Sequence, residues 1–293
     1  MANYLVLATP RSFAKNDDAP IRLLEENGCE VVRLPKDGGD LTAQLAEYLP
    51  QADAVIAGLE PYDRALLSTA KKLKVISRYG VGYDKVDLDA ARELGIKVSI
   101  TPGANGDSVA DLAMALMLNA ARHVCHMDAV IRAGGHDKPV TGVEMWKKTL
   151  GVVGTGRIGK GVIQRASGFQ MKVLAYDAYP DEAFVSAHGG QYVDLDTLFR
   201  ESDFITLHCP LNEETRNMVD AKRLAEMKPK AVLVNTARGG IIDEAALYEA
   251  LRTGEIGAAG LDATEVEPAC GSPLATLPNC ILTPHAGAAT TWA

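Results

Sequence analysis

Arg238, Glu267 and His285 are the side chains of this sequence whose types and placement could do chemistry together. Each stands just past a short apolar run that reads as a β-strand: Arg238 in Thr236-Ala-Arg-Gly-Gly240, Glu267 in Glu265-Val-Glu-Pro268, and His285 after Pro284. In open α/β sheets ligands bind outside the carboxyl ends of the strands, so the three would share one edge. An arginine grips a carboxylate with a planar fork of two parallel hydrogen bonds. A histidine titrates near neutral pH and can exchange a hydroxyl proton. A neighbouring carboxylate would orient that imidazole and favour its charged form. Together they suit oxidation of a hydroxy acid, provided a hydride acceptor is at hand. Each also has a plainer reading: Arg238 as a surface residue of a turn, Glu267 as a solvated loop acid, His285 as a structural histidine. His208, in His208-Cys-Pro-Leu211 on the same edge, could itself be the acid/base, and Glu265 is the next candidate partner. His123, His126, His136 and His188 fall on a helix or in irregular segments and read as incidental.

The hydride acceptor has its own signature in Thr149-Leu-Gly-Val-Val-Gly-Thr-Gly-Arg-Ile-Gly159. Gly154, Gly156 and Gly159 follow an apolar run at G-x-G-x-x-G spacing, and Arg157 to Phe169 then reads as a helix. The first glycine permits a tight turn, the second lets backbone approach a pyrophosphate, and the third lets helix pack closely on strand. The pyrophosphate would sit at the helix N-terminus, where unpaired N–H groups and the positive dipole end favour anions. A second strand follows and ends in Asp177, 21 positions after Gly156. An acidic side chain there can bind both ribose hydroxyls and would repel a 2′-phosphate, which predicts NAD as the cofactor.

Two sets of elements must position these residues. In the first hundred residues, candidate strands 4–8, 30–34, 53–57, 74–77 and 97–100 alternate with candidate helices 19–27, 41–49, 64–70 and 88–94. That rhythm implies a parallel sheet covered on both faces. Thr101-Pro-Gly-Ala-Asn-Gly106 is turn-rich and reads as a linker. Asp107 or Ser108 can cap a long helix running to about Ala133. Six candidate strands follow at 149–153, 172–176, 204–208, 231–235, 258–262 and 280–283, with helices at 195–201, 221–227 and 243–253 among them. Six strands with intervening helices are the content of a doubly wound dinucleotide fold. The predicted class is therefore α/β, with two Rossmann-like doubly wound domains, the second binding NAD.

Composition excludes several other classes. At 293 residues two domains are expected, and 47% hydrophobic with 23% charged residues is ordinary for a globular chain. A formal charge of −8 argues against nucleic acid or an anionic membrane as the main partner. Five cysteines without a C-x-x-C pair indicate neither a disulfide framework nor a metal site. The N-terminus lacks a basic segment followed by a long apolar one, and no run approaches the ~18 apolar residues of a spanning helix. A cytoplasmic protein with reduced thiols is expected.

These motifs together resemble the D-isomer-specific 2-hydroxyacid dehydrogenases, most of all phosphoglycerate dehydrogenase and hydroxypyruvate reductase members. The similarity runs through Ser77-Arg-Tyr-Gly-Val-Gly-Tyr-Asp84, Ser108-Val-Ala-Asp111, the glycine loop, the stretch from His208 to Thr215, Asn235-Thr-Ala-Arg-Gly-Gly240, Asp262 to Pro268, and Thr283-Pro-His285. The resemblance implies a substrate-binding Arg238, an acid/base His285 and a Glu267 that pairs with it. It implies cofactor contacts from Gly154, Gly156, Arg157, Ile158, Gly159, Asp177, His208, Pro210, Thr215, Thr236, Ala237 and Asp262. Backbone donors of Tyr79, Gly80 and Val81 would meet the substrate carboxylate, so that only closure of the domains completes the site. Domains are expected at 1–101, flavodoxin-like, with 286–293 returning to it, and at 102–285. A homodimer, formed through 107–133, is also implied.

Departures from the family pattern bear on the substrate. Asp262-Ala-Thr264 stands where relatives often have Asp-Val-Phe. Some phosphoglycerate dehydrogenases place an Arg for the substrate phosphate after the third strand, where this chain reads Gly58-Leu-Glu-Pro-Tyr62, leaving Arg64 or Arg78 to substitute. The sequence stops at Thr290-Thr-Trp-Ala293, where relatives continue for a further helix or two, so truncation or loss of a tail is expected. Two other functions share the fold: a nicotinamide-sensing corepressor, and a dehydrogenase of formate or phosphite.

Overall fold

The computed structural model describes residues 3–136 and 140–291, and these divide into two compact units, Met1–Ala104 and Asn105–Ala293. The division falls three residues beyond the expected boundary. Residues 286–291 group with the second unit: Ala286 and Gly287 donate to Asp262, and Thr290 bonds Ser108. Trp292 and Ala293 of the segment expected to return to the first unit lie outside the described residues.

In the first unit, strands β1 (Tyr4–Ala8), β2 (Cys29–Arg33), β3 (Ala54–Ala57), β4 (Val75–Arg78) and β5 (Lys97–Ser99) form one parallel sheet. The order β2-β1-β3-β4-β5 is that of flavodoxin-like sheets. Helices Leu41–Tyr48, Arg64–Thr69 and Leu88–Glu93 start at Asp40, Asp63 and Asp87, whose carboxylates accept the first free N–H groups. Leu7, Val55 and Ile76 from the strands meet Leu45, Leu67 and Ala90 from those helices in one core.

The second unit has seven parallel strands where the sequence suggested six: β6 (Thr149–Val153), β7 (Lys172–Tyr176), β8 (Gly190–Tyr192), β9 (Phe204–Leu207), β10 (Val232–Asn235), β11 (Ala258–Leu261) and β12 (Cys280–Leu282). The extra strand, β8, reads Gly-Gln-Tyr beside Gly189, without an aliphatic or β-branched residue to mark a strand. The order β12-β11-β10-β9-β6-β7-β8 reverses direction beside β6, between β7 and β9, and such a reversal marks the ligand crevice of doubly wound sheets. Every residue of β9, β10 and β11 is buried, as expected for strands covered on both faces. Alternate residues serve opposite cores. Val152, Phe204 and Val234 meet helices Gly106–Arg122 and Arg157–Ala166, while Val153, Ile205 and Leu233 meet helices Leu195–Glu201 and Glu244–Thr253.

The single helix expected from about 107 to 133 is two, Gly106–Arg122 and Val124–Arg132. His123 between them is left-handed, with φ 53° and ψ 34°. The carbonyl of Ala121 accepts from Val143 N at 2.9 Å instead of continuing the helical ladder, and Gly142 lies so close that a Cβ would fall 2.2 Å from that oxygen. The left-handed His123 ends the helix, and Val143 satisfies one of the carbonyls this leaves without an intrahelical partner.

Candidate active site

The loop after β6 is built by close approach. Gly154 has φ +94°, and a Cβ on it would lie 2.7 Å from the backbone of His208. A Cβ on Gly159 would lie 2.0 Å from the carbonyl oxygen of Gly154, so the helix start is pressed onto the turn. Gly156, by contrast, is the N-cap of helix Arg157–Ala166 and has open space where a Cβ would stand. Backbone N–H groups at the head of a ten-residue helix, with nothing over the glycine, make a cradle that fits a pyrophosphate. Arg157 is exposed, Ile158 half-buried.

Asp177 follows β7 and faces that loop. Its Oδ2 accepts from Thr155 N at 2.5 Å and Thr155 Oγ1 at 3.1 Å, and its Oδ1 from Tyr179 N at 2.8 Å. Thr155 Oγ1 also lies 2.7 Å from the Tyr192 hydroxyl, which accepts from Asp181 N at 2.9 Å. Proton count sets the direction. Tyr192 donates to Thr155 and Thr155 donates to Asp177, so a strand the sequence did not reveal orients the acid. One lone pair of Oδ1 remains for a ribose hydroxyl. The residues present therefore fit a dinucleotide with a free 2′-hydroxyl.

His208, after β9, is held on both ring nitrogens, by Thr206 Oγ1 at 2.9 Å and Thr236 Oγ1 at 3.3 Å. Burial holds its pKa down to about 3, so the ring is neutral near pH 7. Cys209 beside it is pushed up to about 11 by burial and stays a thiol. Thr215 closes the same loop, its hydroxyl donating to Pro210 O at 2.6 Å and its N–H to Asn212 Oδ1 at 2.9 Å.

The turn after β10 is folded by Asn235. Its Oδ1 accepts from Ala237 N at 3.0 Å and its Nδ2 donates to Arg238 O at 2.7 Å. A Cβ on Gly239 would lie 2.1 Å from Thr264 O, so this turn presses against the loop that carries Glu267. The Arg238 guanidinium donates to Ala237 O at 2.7 Å, and its charge is among the influences on Glu267.

After β11 and β12 the chain brings Glu267 to His285. Both carboxylate oxygens lie 3.0 Å from His285 Nδ1. A carboxylate only accepts, so Nδ1 carries the hydrogen and Nε2 is the outward nitrogen. Although burial pushes the Glu267 carboxyl up, its bonds to His285 and Thr264 and the nearby charges of His285 and Arg238 win, and it lies below the usual carboxylate range. His285 itself has φ 52°, a left-handed backbone. Asp262 holds that turn: Oδ1 accepts from Thr283 Oγ1 at 2.5 Å and Ala286 N at 2.7 Å, Oδ2 from Gly287 N at 2.8 Å. Glu265 N donates to Glu244 at 2.6 Å. Burial raises Glu244 above the ordinary range.

In the first unit the loop after β4 carries Tyr79, Gly80 and Val81. The Tyr79 N–H donates to Ala57 O at 2.9 Å and the Gly80 N–H to Thr101 Oγ1 at 2.9 Å; the Val81 N–H has no bond among the described residues. The two alternatives for a phosphate-binding arginine are engaged elsewhere. Arg64 pairs with Glu93, and Arg78 donates to the carbonyls of Ala57 and Tyr79. Among the described residues no group of three or more potential metal ligands is gathered. No helix among them is long and apolar enough to cross a membrane.

A doubly wound unit with a glycine cradle, an acid at the second strand end, and an Arg–Glu–His set on the same edge is dehydrogenase architecture. Residues 114–287 match the family model described as D-isomer specific 2-hydroxyacid dehydrogenase, NAD binding domain. Hydroxypyruvate reductase of Thermotoga maritima is 45% identical over 252 residues, 84% of this chain and 81% of that protein. D-3-phosphoglycerate dehydrogenase of Methanocaldococcus jannaschii is 45% identical over 278 residues, 94% of this chain but only 52% of that longer protein. The crystal structure of the TT0316 protein from Thermus thermophilus superposes with a TM-score of 0.86 at 39% identity, covering 98% of this chain and 90% of that one. The chain belongs to the D-isomer specific 2-hydroxyacid dehydrogenases, and it is an NAD-dependent oxidoreductase.

Proposed function

We propose that this protein reduces a small, unphosphorylated 2-oxo acid to the D-2-hydroxy acid. The observation that carries the reading is the His285 Nδ1–Glu267 pair at 3.0 Å, which leaves Nε2 as the proton-bearing atom. NADH, when bound, would supply the hydride for reduction and leave as NAD; Gly154, Gly156, Arg157, Ile158 and Gly159 would hold its pyrophosphate and Asp177 its ribose. His208, Pro210, Thr215, Thr236, Ala237 and Asp262 line the rest of its path. Arg238 grips the substrate carboxylate with its fork, and backbone of the Tyr79–Gly80–Val81 loop assists. In reduction, Nε2 of imidazolium gives its proton to the carbonyl oxygen; in oxidation, the neutral ring takes it back. His208 is unsuited to that exchange, because burial keeps it neutral. The unphosphorylated substrate is supported by Glu60 in the loop after β3 and by the engagement of Arg64 and Arg78 with other partners. The name of the Thermotoga relative points the same way.

The protein acts as a homodimer in the cytoplasm. Helix Val124–Arg132 has no buried residue and exposes Val124 and Ile131, apolar surface that a second copy would cover. All five cysteines are free, as expected in a reducing compartment. NADH oxidation measured with hydroxypyruvate, glyoxylate, pyruvate, 2-oxoglutarate and phosphohydroxypyruvate tests the reading. Turnover of one of the first four is expected; tight NADH binding with no turnover of any 2-oxo acid would overturn it.

A further inference from the structure

The loop after β11 that carries Glu267 is fastened residue by residue. Asn235 Nδ2 donates to Ala263 O at 3.5 Å, Gly239 is pressed on Thr264 O, and Glu265 N donates to Glu244 Oε1 at 2.6 Å. Val266, the residue before Glu267, gains little from packing, because it is 75% exposed. Its carbonyl has one hydrogen-bond partner among the described residues, Thr264 Oγ1 at 3.0 Å. Thr264 is buried, at 6% exposure, and its hydroxyl has a single proton, which this bond uses. The Thr264 N–H lies 3.4 Å from Glu267 Oε1, the oxygen that also stands 3.0 Å from His285 Nδ1. One buried residue therefore holds both the peptide that leads into Glu267 and the carboxylate that ends it.

We propose that Thr264 is a positioning residue for the acid/base pair: its hydroxyl, by holding Val266 O, keeps the Glu267 carboxylate on His285 Nδ1. The inference rests on the 2-oxo-acid reading above and adds to it a residue that the reading does not use. Without the hydroxyl, water takes the Val266 carbonyl, the peptide before Glu267 is free to turn, and the carboxylate leaves Nδ1 part of the time. A neutral imidazole carries one hydrogen, and the bond made by one nitrogen decides which of the two bears it. Held by Glu267, that nitrogen is Nδ1; released, the ring is free to carry Nε2–H, which puts a hydrogen where oxidation needs a lone pair. The charged and titratable groups around Glu267 are His285, Arg238 of the turn after β10, Glu244 of helix Glu244–Thr253 and Glu265 of its own loop. Thr264 has no charge, so replacing it leaves all of these in place, and any change in titration comes from geometry.

Thr264→Val removes the donor and keeps the volume, Thr264→Ala removes it with room to relax, and Thr264→Ser retains it. Nitrogen NMR shifts of the His285 ring, read at a pH where the ring is neutral, report the tautomer with neither substrate nor cofactor present. Nδ1–H is expected in the wild type and in Thr264→Ser, and a mixture with Nε2–H in Thr264→Val and Thr264→Ala. For reduction of the 2-oxo acid turned over best, those two variants should lose ~3–10-fold in kcat, the weight of one such bond, with the Kd for NADH within about twofold. The alkaline limb of kcat/KM should move to lower pH in both, and Thr264→Ser should restore both kcat and limb. A structural role alone would lower Tm and leave tautomer and limb as in the wild type, and that result overturns the inference; so does a tautomer that shifts while the limb stays. A wild-type protein that turns over no 2-oxo acid would remove the parent reading, and the tautomer alone then decides whether Thr264 holds the pair.

Discussion

Glu267 and His285 form a pair whose polarity is set by simple counting: an acceptor-only carboxylate fixes the hydrogen on Nδ1, which leaves Nε2 for the proton exchange proposed above. The carboxyl lies below its ordinary range, so its folded-state contribution is complete above that range and fades only as pH falls through the lower value. Arg238 acts differently. Its charge is replaceable but its fork is not, so Arg238→Lys is expected to lower kcat/KM by ~100-fold while the Kd for NADH stays within twofold. Steady-state kinetics with a fluorescence titration of NADH checks both; a variant with near-normal efficiency on every accepted 2-oxo acid would remove Arg238 from the substrate. The placement of Arg238, Glu267, His285 and Asp177 past strand ends was legible because each follows a candidate strand, and strand ends are where such sheets bind ligands. Asn235, Thr155 and Tyr192 were not legible as positioning groups. Thr155 meets Tyr192 and Asp177 across strands distant in sequence, which no local spacing records. Asn235 instead bonds mainly residues two and three places on, a local turn motif that its position between strand and Arg238 did not by itself announce.

At the scale of elements, the glycine loop is the part most fully specified by sequence. The 2.0 Å approach of a Gly159 Cβ to the Gly154 carbonyl leaves no rotamer that relieves it, because both sides are backbone. Gly159→Ala must therefore move the turn or the helix start, an overpacking cost of roughly 1–3 kcal/mol. We expect a Tm lower by several degrees and NADH binding weakened by ~tenfold or more; a melt and a titration matching wild type would show that the cradle is not built by this contact. The strands flanking the loop were readable as short β-branched and aliphatic runs, and most bounds differ from the structure by a residue or so. Two elements were not. Strand β8, Gly190–Tyr192, has no aliphatic or β-branched residue to mark it, and helix Glu182–Ala187 is one short turn and a half between it and β7. The break at His123 escaped because a single left-handed residue within an apolar helical pattern leaves no periodic mark, and the Val143 N–H that meets Ala121 O comes from outside the helix.

For the molecule as a whole, composition indicated two domains and argued against nucleic acid as the main partner; the parallel sheets then supplied the edges on which the candidate site residues stand. With a charge of −8, an anionic cofactor and an anionic substrate need local donors against the overall field, and the helix head at Gly156 and the fork of Arg238 are the ones the proposed function assigns. The substrate's identity was the least legible property. The loop after β3 carries an acid, Glu60, and its contacts with Thr9 and Tyr62 are a juxtaposition that sequence spacing does not show.

The most direct measurement is the pH dependence of kcat/KM for reduction, in the wild type and in Glu267→Gln. Reduction needs imidazolium, which the Glu267 carboxylate favours, so the alkaline limb marks where that proton is lost. Glu267→Gln removes the charge and keeps the shape. The alkaline limb should move to lower pH by about one unit, while oxidation gains activity at lower pH relative to its own maximum. Limbs that stay where they are in both directions would contradict the pairing and turn attention to Glu265.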